Sequence, residues 1–388
     1  MKLSSSKDIR ANNKSNILFY LLRHKTASRT DLSKELQLSP ATISLLVDEL
    51  RAEGMVEEFA VGNFTGGRKP ILLKLSCDNT YVLVIQPSTS ALGYCAMDLT
   101  QQIIEEGHVA YSELSLSTDL FSCVVNTIEM LKKKDKINGR SLVGISLILS
   151  NPLEAPHHVA VETDSEIHML DISNALNLKY GVQVRIEHIA EAKALSHFYQ
   201  APKECNSILY VNLGRKIDAI RVVRNGNQIP QLEEVPGFAH MIVDPNGASC
   251  HCGMQGCLES TASVSAVYTE MCRVLNTPVN LTSTQTSEML SFIEKRQNLC
   301  ADILEKTMNA LLIACHNSSV LLGTKQIVLG GELTTTSWFQ SMLRNGFLQG
   351  HKIAKHITID SPWRSSAEAG SGRFLVECCF SAELSPSL

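Results

Sequence analysis

Long apolar runs are missing from this 388-residue sequence. No stretch reaches the roughly 18 uninterrupted apolar residues that a membrane-spanning helix needs. The opening residues, MKLSSSKDIRANNKSN, hold no apolar core of the kind a secretory leader carries. These two absences predict a chain that inserts in no membrane and works in the cytoplasm. A strong charge of one sign is also lacking, since the net charge is −4. Charged residues make up 19% and hydrophobic ones 44%, the balance of a globular protein and not of a disordered one. Such a length exceeds one ordinary core and predicts two or three domains. A disulfide framework is absent too. Of twelve cysteines, nine are scattered through apolar stretches or sit side by side, as Cys378 and Cys379 do. In a large cytosolic protein such cysteines are buried small hydrophobes.

The near-neutral total hides an asymmetry. Residues 1–75 hold twelve Lys and Arg against eight Asp and Glu, so a basic head precedes an acidic body. That arrangement points to an anionic partner for the head, nucleic acid first. Ile17 to Arg23 reads as a short apolar helix, and SRTDLSKELQL starts a second, capped by Ser28 or Thr30. In LSPATISLLVDELRAEG, Ser39 is a natural N-cap and Pro40 suits the first helical position. Ile43, Leu46, Val47 and Leu50 then fall on one buried face, and Gly54 stops the helix. Two short helices joined by a tight turn, the second opening with small residues, form a helix-turn-helix. Ala41, Thr42 and Ser44 are the candidates for base edges, and the cap residue Ser39 joins them in the DNA-binding surface. The next stretch, MVEEFAVGNFTGGRKPILLKL, reads as two strands around a Gly-Gly turn. It would be the wing of a winged helix, with Arg68 and Lys69 placed for phosphates or a minor groove. Arg10, Lys14 and Arg29 supply further cations for the DNA backbone. A helical hairpin serving protein contacts is the competing reading.

Beyond residue 75, short apolar runs such as YVLVIQ, LVGISLIL, SILYVNL and QIVLGG alternate with helical patterns. Strands buried on both faces read this way, so the body is α/β with mixed sheets. Lys132 to Lys134 with Lys136 read as an exposed helix end, and Glu187 with Glu191 as a solvated helical face. Within the body, Cys250, Cys252 and Cys257 fall in eight residues, ten after His240. Three cysteines and a histidine suit a closed tetrahedral zinc site, one per chain, that leaves no position for water. The site would therefore be structural. Gly247, Gly253 and Gly256 allow the loop to fold tightly, and His251 is a competing ligand.

The pattern H-x9-C-H-C-G-x-x-G-C-L-E resembles the zinc signature of the ROK family of repressors, open reading frames and sugar kinases. QIVLGGEL is similar to a glycine turn near the family's C-terminal end, and SAEAGSGRFLVE to its closing helix. The winged head places the resemblance in the repressor branch, near those that respond to glucose and N-acetylglucosamine. What this implies is a winged helix-turn-helix at 1–75 and a two-lobed, actin-like body of ribonuclease-H-like lobes at 76–388. The body would carry the zinc loop at 240–257 and assemble as a homodimer or tetramer on a palindromic operator in double-stranded DNA.

The family's kinase loops are degenerate here. An Asp-x-Gly-Gly-Thr turn is replaced by VIQPSTSALG, and of a Gly-Thr-Gly-x-Gly loop only Gly214 survives, in LGRKIDAI. Phosphoryl transfer needs such a cradle and a proton acceptor, so no kinase activity is expected. The sugar-contacting positions implied by the resemblance are Glu187, His188, His240 and Glu259. Ile189 stands where the family has its Asp, and Gly237 where it has a hydroxyl-binding Glu. An ordinary hexose would then bind weakly, and the effector would be another sugar-type small molecule or a protein partner.

Overall fold

The computed structural model describes residues 6–61, 71–88, 91–113, 120–149, 165–202, 204–226, 229–282, 284–344, 356–360 and 366–381. The chain divides into two compact units, one of residues 1–192 with 367–388, the other of residues 193–366.

The first unit opens with the head: α1 (Ser6–His24), β1 (Ala27–Ser28), α2 (Arg29–Glu35), α3 (Pro40–Ala52), β2 (Val56–Val61) and β3 (Ile71–Leu75). The first helix is much longer than the apolar stretch predicts. Only Ile17, Leu18 and Leu21 are deeply buried hydrophobics, so its polar first half carries no apolar period to read. Ser28, not Thr30, caps the second helix, and Asp31 returns to the Ser28 backbone to close a capping box. Ser39 caps α3, whose Ile43, Leu46, Val47 and Leu50 are buried as predicted. Strands β1, β3 and β2 form a small antiparallel sheet beside the helices. Arg68 and Lys69 lie outside the described residues.

The rest of the unit comprises β4 (Thr80–Pro87), β5 (Ala91–Met97), β6 (Ile103–Ala110), α4 (Leu120–Leu131), β7 (Ser141–Leu149), α5 (Ser165–Tyr180), β8 (Gln183–His188) and the start of α6 (Ile189–Gln200). Its five strands take the order β6-β5-β4-β7-β8, antiparallel on one side of β4 and parallel on the other. Side chains alternate across β4, as strand geometry requires. Tyr81, Leu83 and Ile85 pack with Val124, Ile128 and Leu131 of α4. Val82 turns to the other face and joins the head's own core, together with Met97.

The second unit holds β9 (Ser207–Leu213), β10 (Ile217–Val223), β11 (Gln231–Glu234), α7 (Glu259–Ala262), α8 (Val264–Val274), α9 (Thr286–Arg296), α10 (Ala301–Leu322), β12 (Ile327–Gly330), α11 (Ser337–Arg344) and β13 (Ile357–Ile359). The closing helix, α12 (Ala367–Phe380), returns to the first unit. Leu375, Val376 and Phe380 of α12 share the core of Ile17, Leu21 and Leu50, and Phe380 meets Phe19 edge-on at 5.8 Å. The head is thus built into the first lobe and not merely tethered to it.

In the second sheet the order is β11-β10-β9-β12-β13, with the same pattern of antiparallel and parallel pairs. Both lobes therefore follow one topology, the repeated ribonuclease-H-like arrangement expected of an actin-like body. Val211 and Leu213 pack there with Met271, Met289, Ile293 and Leu311.

Two local features differ from what the sequence predicts. Lys134 is not part of a merely exposed helix end, because it bonds the Tyr94 hydroxyl at 2.6 Å and Glu105 at 2.8 Å. Glu187 and Glu191 do not share a solvated helical face. Glu187 belongs to β8 and is 1% exposed, while Glu191 in the first turn of α6 accepts the His188 backbone N–H at 2.7 Å.

Candidate nucleic-acid interface and metal centre

In the head, α3 turns Ala41, Leu45, Asp48 and Ala52 away from the core. Ser39 and Thr42 stand at its start, their hydroxyls 2.8 Å apart, and the Thr42 N–H donates to Ser39 Oγ at 3.1 Å. The cap therefore uses much of their hydrogen-bonding capacity. Ser44 is half-buried on the flank.

The predicted cations surround this helix and are paired with its carboxylates. Arg10 meets Glu49, and Lys14 meets Glu49 at 2.9 Å and Glu53 at 2.6 Å. Arg29 bridges Asp48 at 3.0 Å and Glu58 at 3.5 Å. Arg51, which periodicity did not single out, also pairs with Glu58, at 3.0 Å. Its signal was only its place in the last turn of α3. Ile9, Arg10 and Asn13 of α1 line a shallow depression with Ala41, Thr42 and Leu45.

The cysteine loop is folded by its own backbone. Val243 N–H donates to Gly256 O, Gly256 N–H to Ala248 O, and Cys250 N–H to Met254 O. Gly256 has φ +74°, and a Cβ there would stand 1.6 Å from Asp244 O, so no other residue fits. Lys306 of α10 ties the loop through Asp244 at 2.7 Å. His240, Cys250, Cys252 and Cys257 converge, with all four donor atoms within 4.8 Å of one another. Cys250 Sγ lies 3.6 Å from His240 Nδ1, and Cys252 Sγ lies 3.6 Å from Cys257 Sγ. Around a tetrahedral ion with sulfur bonds of about 2.3 Å, neighbouring sulfurs stand about 3.8 Å apart. The donor set fits such an ion. The backbone N–H of Met254 holds the Cys252 thiol below its ordinary pKa, whereas burial pushes Cys257 up to about 12. A bound cation would favour the thiolate at both.

The remaining predicted residues divide between the units. In the first, Glu187 accepts from Arg185 Nε at 3.2 Å, and burial pushes its carboxyl above the usual range. His188 Nδ1 accepts the Ala190 N–H at 3.3 Å, an ordinary local contact. In the second, Glu259 Oε2 accepts the Ile217 N–H at 2.9 Å, and burial again raises its pKa. His240 belongs to the metal cluster. A Cβ at Gly237 would meet nothing within 4 Å, so the position has open space.

A winged helix-turn-helix fused to a duplicated ribonuclease-H-like body with a Cys₃His loop defines a DNA-binding head on a body of the sugar-kinase kind. Residues 90–356 match the ROK family and residues 11–57 a winged helix-turn-helix DNA-binding family. The chain belongs to the ROK family. It is 26% identical to the xylose repressor of Bacillus subtilis (strain 168) over 357 residues, 91% of this chain and 87% of that protein. To the DNA-binding transcriptional dual regulator NagC of Escherichia coli (strain K12) it is 24% identical over 325 residues, 79% and 77% of the two chains. The crystal structure of a ROK family transcriptional regulator, a homolog of the E. coli MLC protein, superposes with a TM-score of 0.67. That match has 18% identity and covers 97% of this chain and 98% of the other. The ROK hexokinase of Thermus thermophilus shares the body fold, with a TM-score of 0.54, 18% identity and coverage of 77% and 97%.

Proposed function

We propose that this chain is a DNA-binding transcriptional regulator, a repressor of carbohydrate-uptake or metabolism genes, controlled through a body that has lost kinase chemistry. The observation that carries the reading is the head, in which a capped α3 offers an outward face beside four cations. On this reading residues 1–75 bind DNA, and residues 76–388 sense an effector and assemble a homodimer or tetramer on a palindromic operator. Ser39, Ala41, Thr42 and Ser44 approach base edges, while Arg10, Lys14 and Arg29 exchange carboxylates for phosphates. Exposed ion pairs stabilise by only about 0–1 kcal/mol each, so that exchange costs little.

The cation held by His240, Cys250, Cys252 and Cys257 is zinc, one per chain, and it is structural because four protein ligands close the coordination sphere. Loss of kinase chemistry is supported by the β9–β10 turn. A phosphate cradle needs free backbone N–H groups. Here the Gly214 N–H donates to Lys216 O and the Ile217 N–H to Glu259, while Arg215 is bonded to the Thr284 and Leu281 carbonyls. Glu187, His188, His240 and Glu259 are the body's residues for an effector of sugar type, a class supported by relatives named for xylose and N-acetylglucosamine.

The test pairs two assays on the zinc-loaded full-length protein. Retardation of DNA fragments from upstream of carbohydrate-uptake genes is expected, with no sugar-dependent ATP consumption. Phosphorylation of a sugar without retention of any fragment would overturn the reading.

A further inference from the structure

The outward stripe of α3 has an unusual chemistry for a helix that meets DNA. Its first two turns present Ala41 and Leu45, one helical turn apart, with Leu45 53% exposed. Neither side chain carries a polar atom. The hydroxyls of Ser39 and Thr42 are engaged with each other and with the cap, and Ser44 sits half-buried on the flank. Asp48, one turn further on, is paired with Arg29. Across the depression Ile9 of α1 is exposed to the same degree, 53%, and adds a second apolar wall.

Base edges in the major groove present mostly donors and acceptors, and the one apolar group that stands out from them is the 5-methyl of thymine. Pressing Leu45 against a polar edge would strand donors or acceptors that water had satisfied, which is costly. Pressing it against a methyl removes apolar surface from water on both sides. Resting on the DNA-binding reading above, we infer that Leu45, backed by Ala41, is a specificity-determining residue that reads thymine methyl groups in each operator half-site.

The test uses full-length protein to enrich duplexes from a random pool, then measures affinity for the best duplex by fluorescence anisotropy. Each thymine is replaced in turn by deoxyuridine, which removes only the methyl. One or two replacements per half-site should weaken binding by about fourfold each, the effect of one buried methyl. Leu45→Ala should bind the thymine and uracil duplexes equally, and Leu45→Met, which keeps an apolar contact, should still discriminate. Because Leu45 faces solvent, both variants should melt as the unaltered chain does. A protein that enriches duplexes yet ignores every uracil, or a Leu45→Ala variant that discriminates as before, overturns this inference alone. So does a Leu45→Ala variant that changes oligomeric state and keeps uracil sensitivity, which would make the stripe a contact between copies. A chain that enriches no duplex overturns the DNA-binding reading and this inference with it.

Discussion

The two lobes share a strand order and differ in what is attached to it. The first hairpin shows the common part. In the first lobe, the Ser88 N–H bonds the Ala91 carbonyl and the Ala91 N–H bonds Ser88 Oγ, closing the β4–β5 turn on itself. In the second, the Gly214 N–H bonds the Lys216 carbonyl within the β9–β10 turn, while the Ile217 N–H reaches outside it to Glu259. The attachments then separate them. The first lobe carries a winged head that shares its hydrophobic core through α12, and the second carries a loop of four converging Cys and His donors that could hold a metal ion. Topology thus accounts for the family. Function comes from what is attached, and the attachments differ in kind: apolar burial joins the head to its lobe, whereas backbone hydrogen bonds fold the loop and bring its Cys and His donors together.

The largest effect should come from breaking the second attachment. Serine at both Cys252 and Cys257 should abolish binding of one zinc per chain and destabilise the second lobe by several kcal/mol, about 10 °C or more in melting temperature. Metal analysis and calorimetry check both. The first lobe's transition should stay in place, and a metal-free protein that melts unchanged would show that the loop needs no ion. On the other side, Phe380→Ala removes a buried ring between α12 and the head. It should cost about 3–5 kcal/mol and lower the head's stability together with that of the first lobe. Hydrogen exchange would show the head's amides losing protection. A head that keeps its protection would be independent of α12.

Smaller effects test the head by itself. Ser28→Ala removes an N-cap and should cost about 1 kcal/mol. The Ser28 hydroxyl and backbone N–H hold Asp31 below its ordinary pKa. Because that folded value is depressed, the stabilisation is complete above the unfolded pKa of about 3.9 and fades as the pH falls through the lower one. Melting curves of the two proteins should therefore converge in acid. Smallest in stability is Arg10→Ala, within about 1 kcal/mol by denaturation. If Arg10 meets a phosphate, the same change should reduce the slope of log affinity against log salt by about one per site. An unchanged slope would leave Arg10 as a partner of Glu49 and nothing more.

Much of this was legible in the chain. The convergence of His240, Cys250, Cys252 and Cys257 was, because Cys and His at short spacing among turn-forming glycines can meet in one loop, and the loop does bring those four together. The core of α3 was, because Ile43, Leu46, Val47 and Leu50 keep a helical period. Less could be read where an element lacks an apolar period, as in the first half of α1, or where burial depends on distant chain. Glu187 is the clearest case, since only the assembled sheet shows that it is enclosed. The pairing of Arg10 and Lys14 with Glu49 was equally hidden, because 39 and 35 positions separate them along the chain. The union of head and first lobe was hidden for the same reason. It needs α12, from the far end of the sequence, to supply Phe380 to Phe19.

On the proposed function, the head binds duplex DNA under the control of the body. Footprinting of the zinc-loaded full-length protein on an enriched duplex tests it most directly. Two protected half-sites are expected, one helical turn, about 10 base pairs, or a multiple of it apart, with protection falling steeply as salt rises. Absence of protection at low salt, or protection that ignores salt, would contradict it.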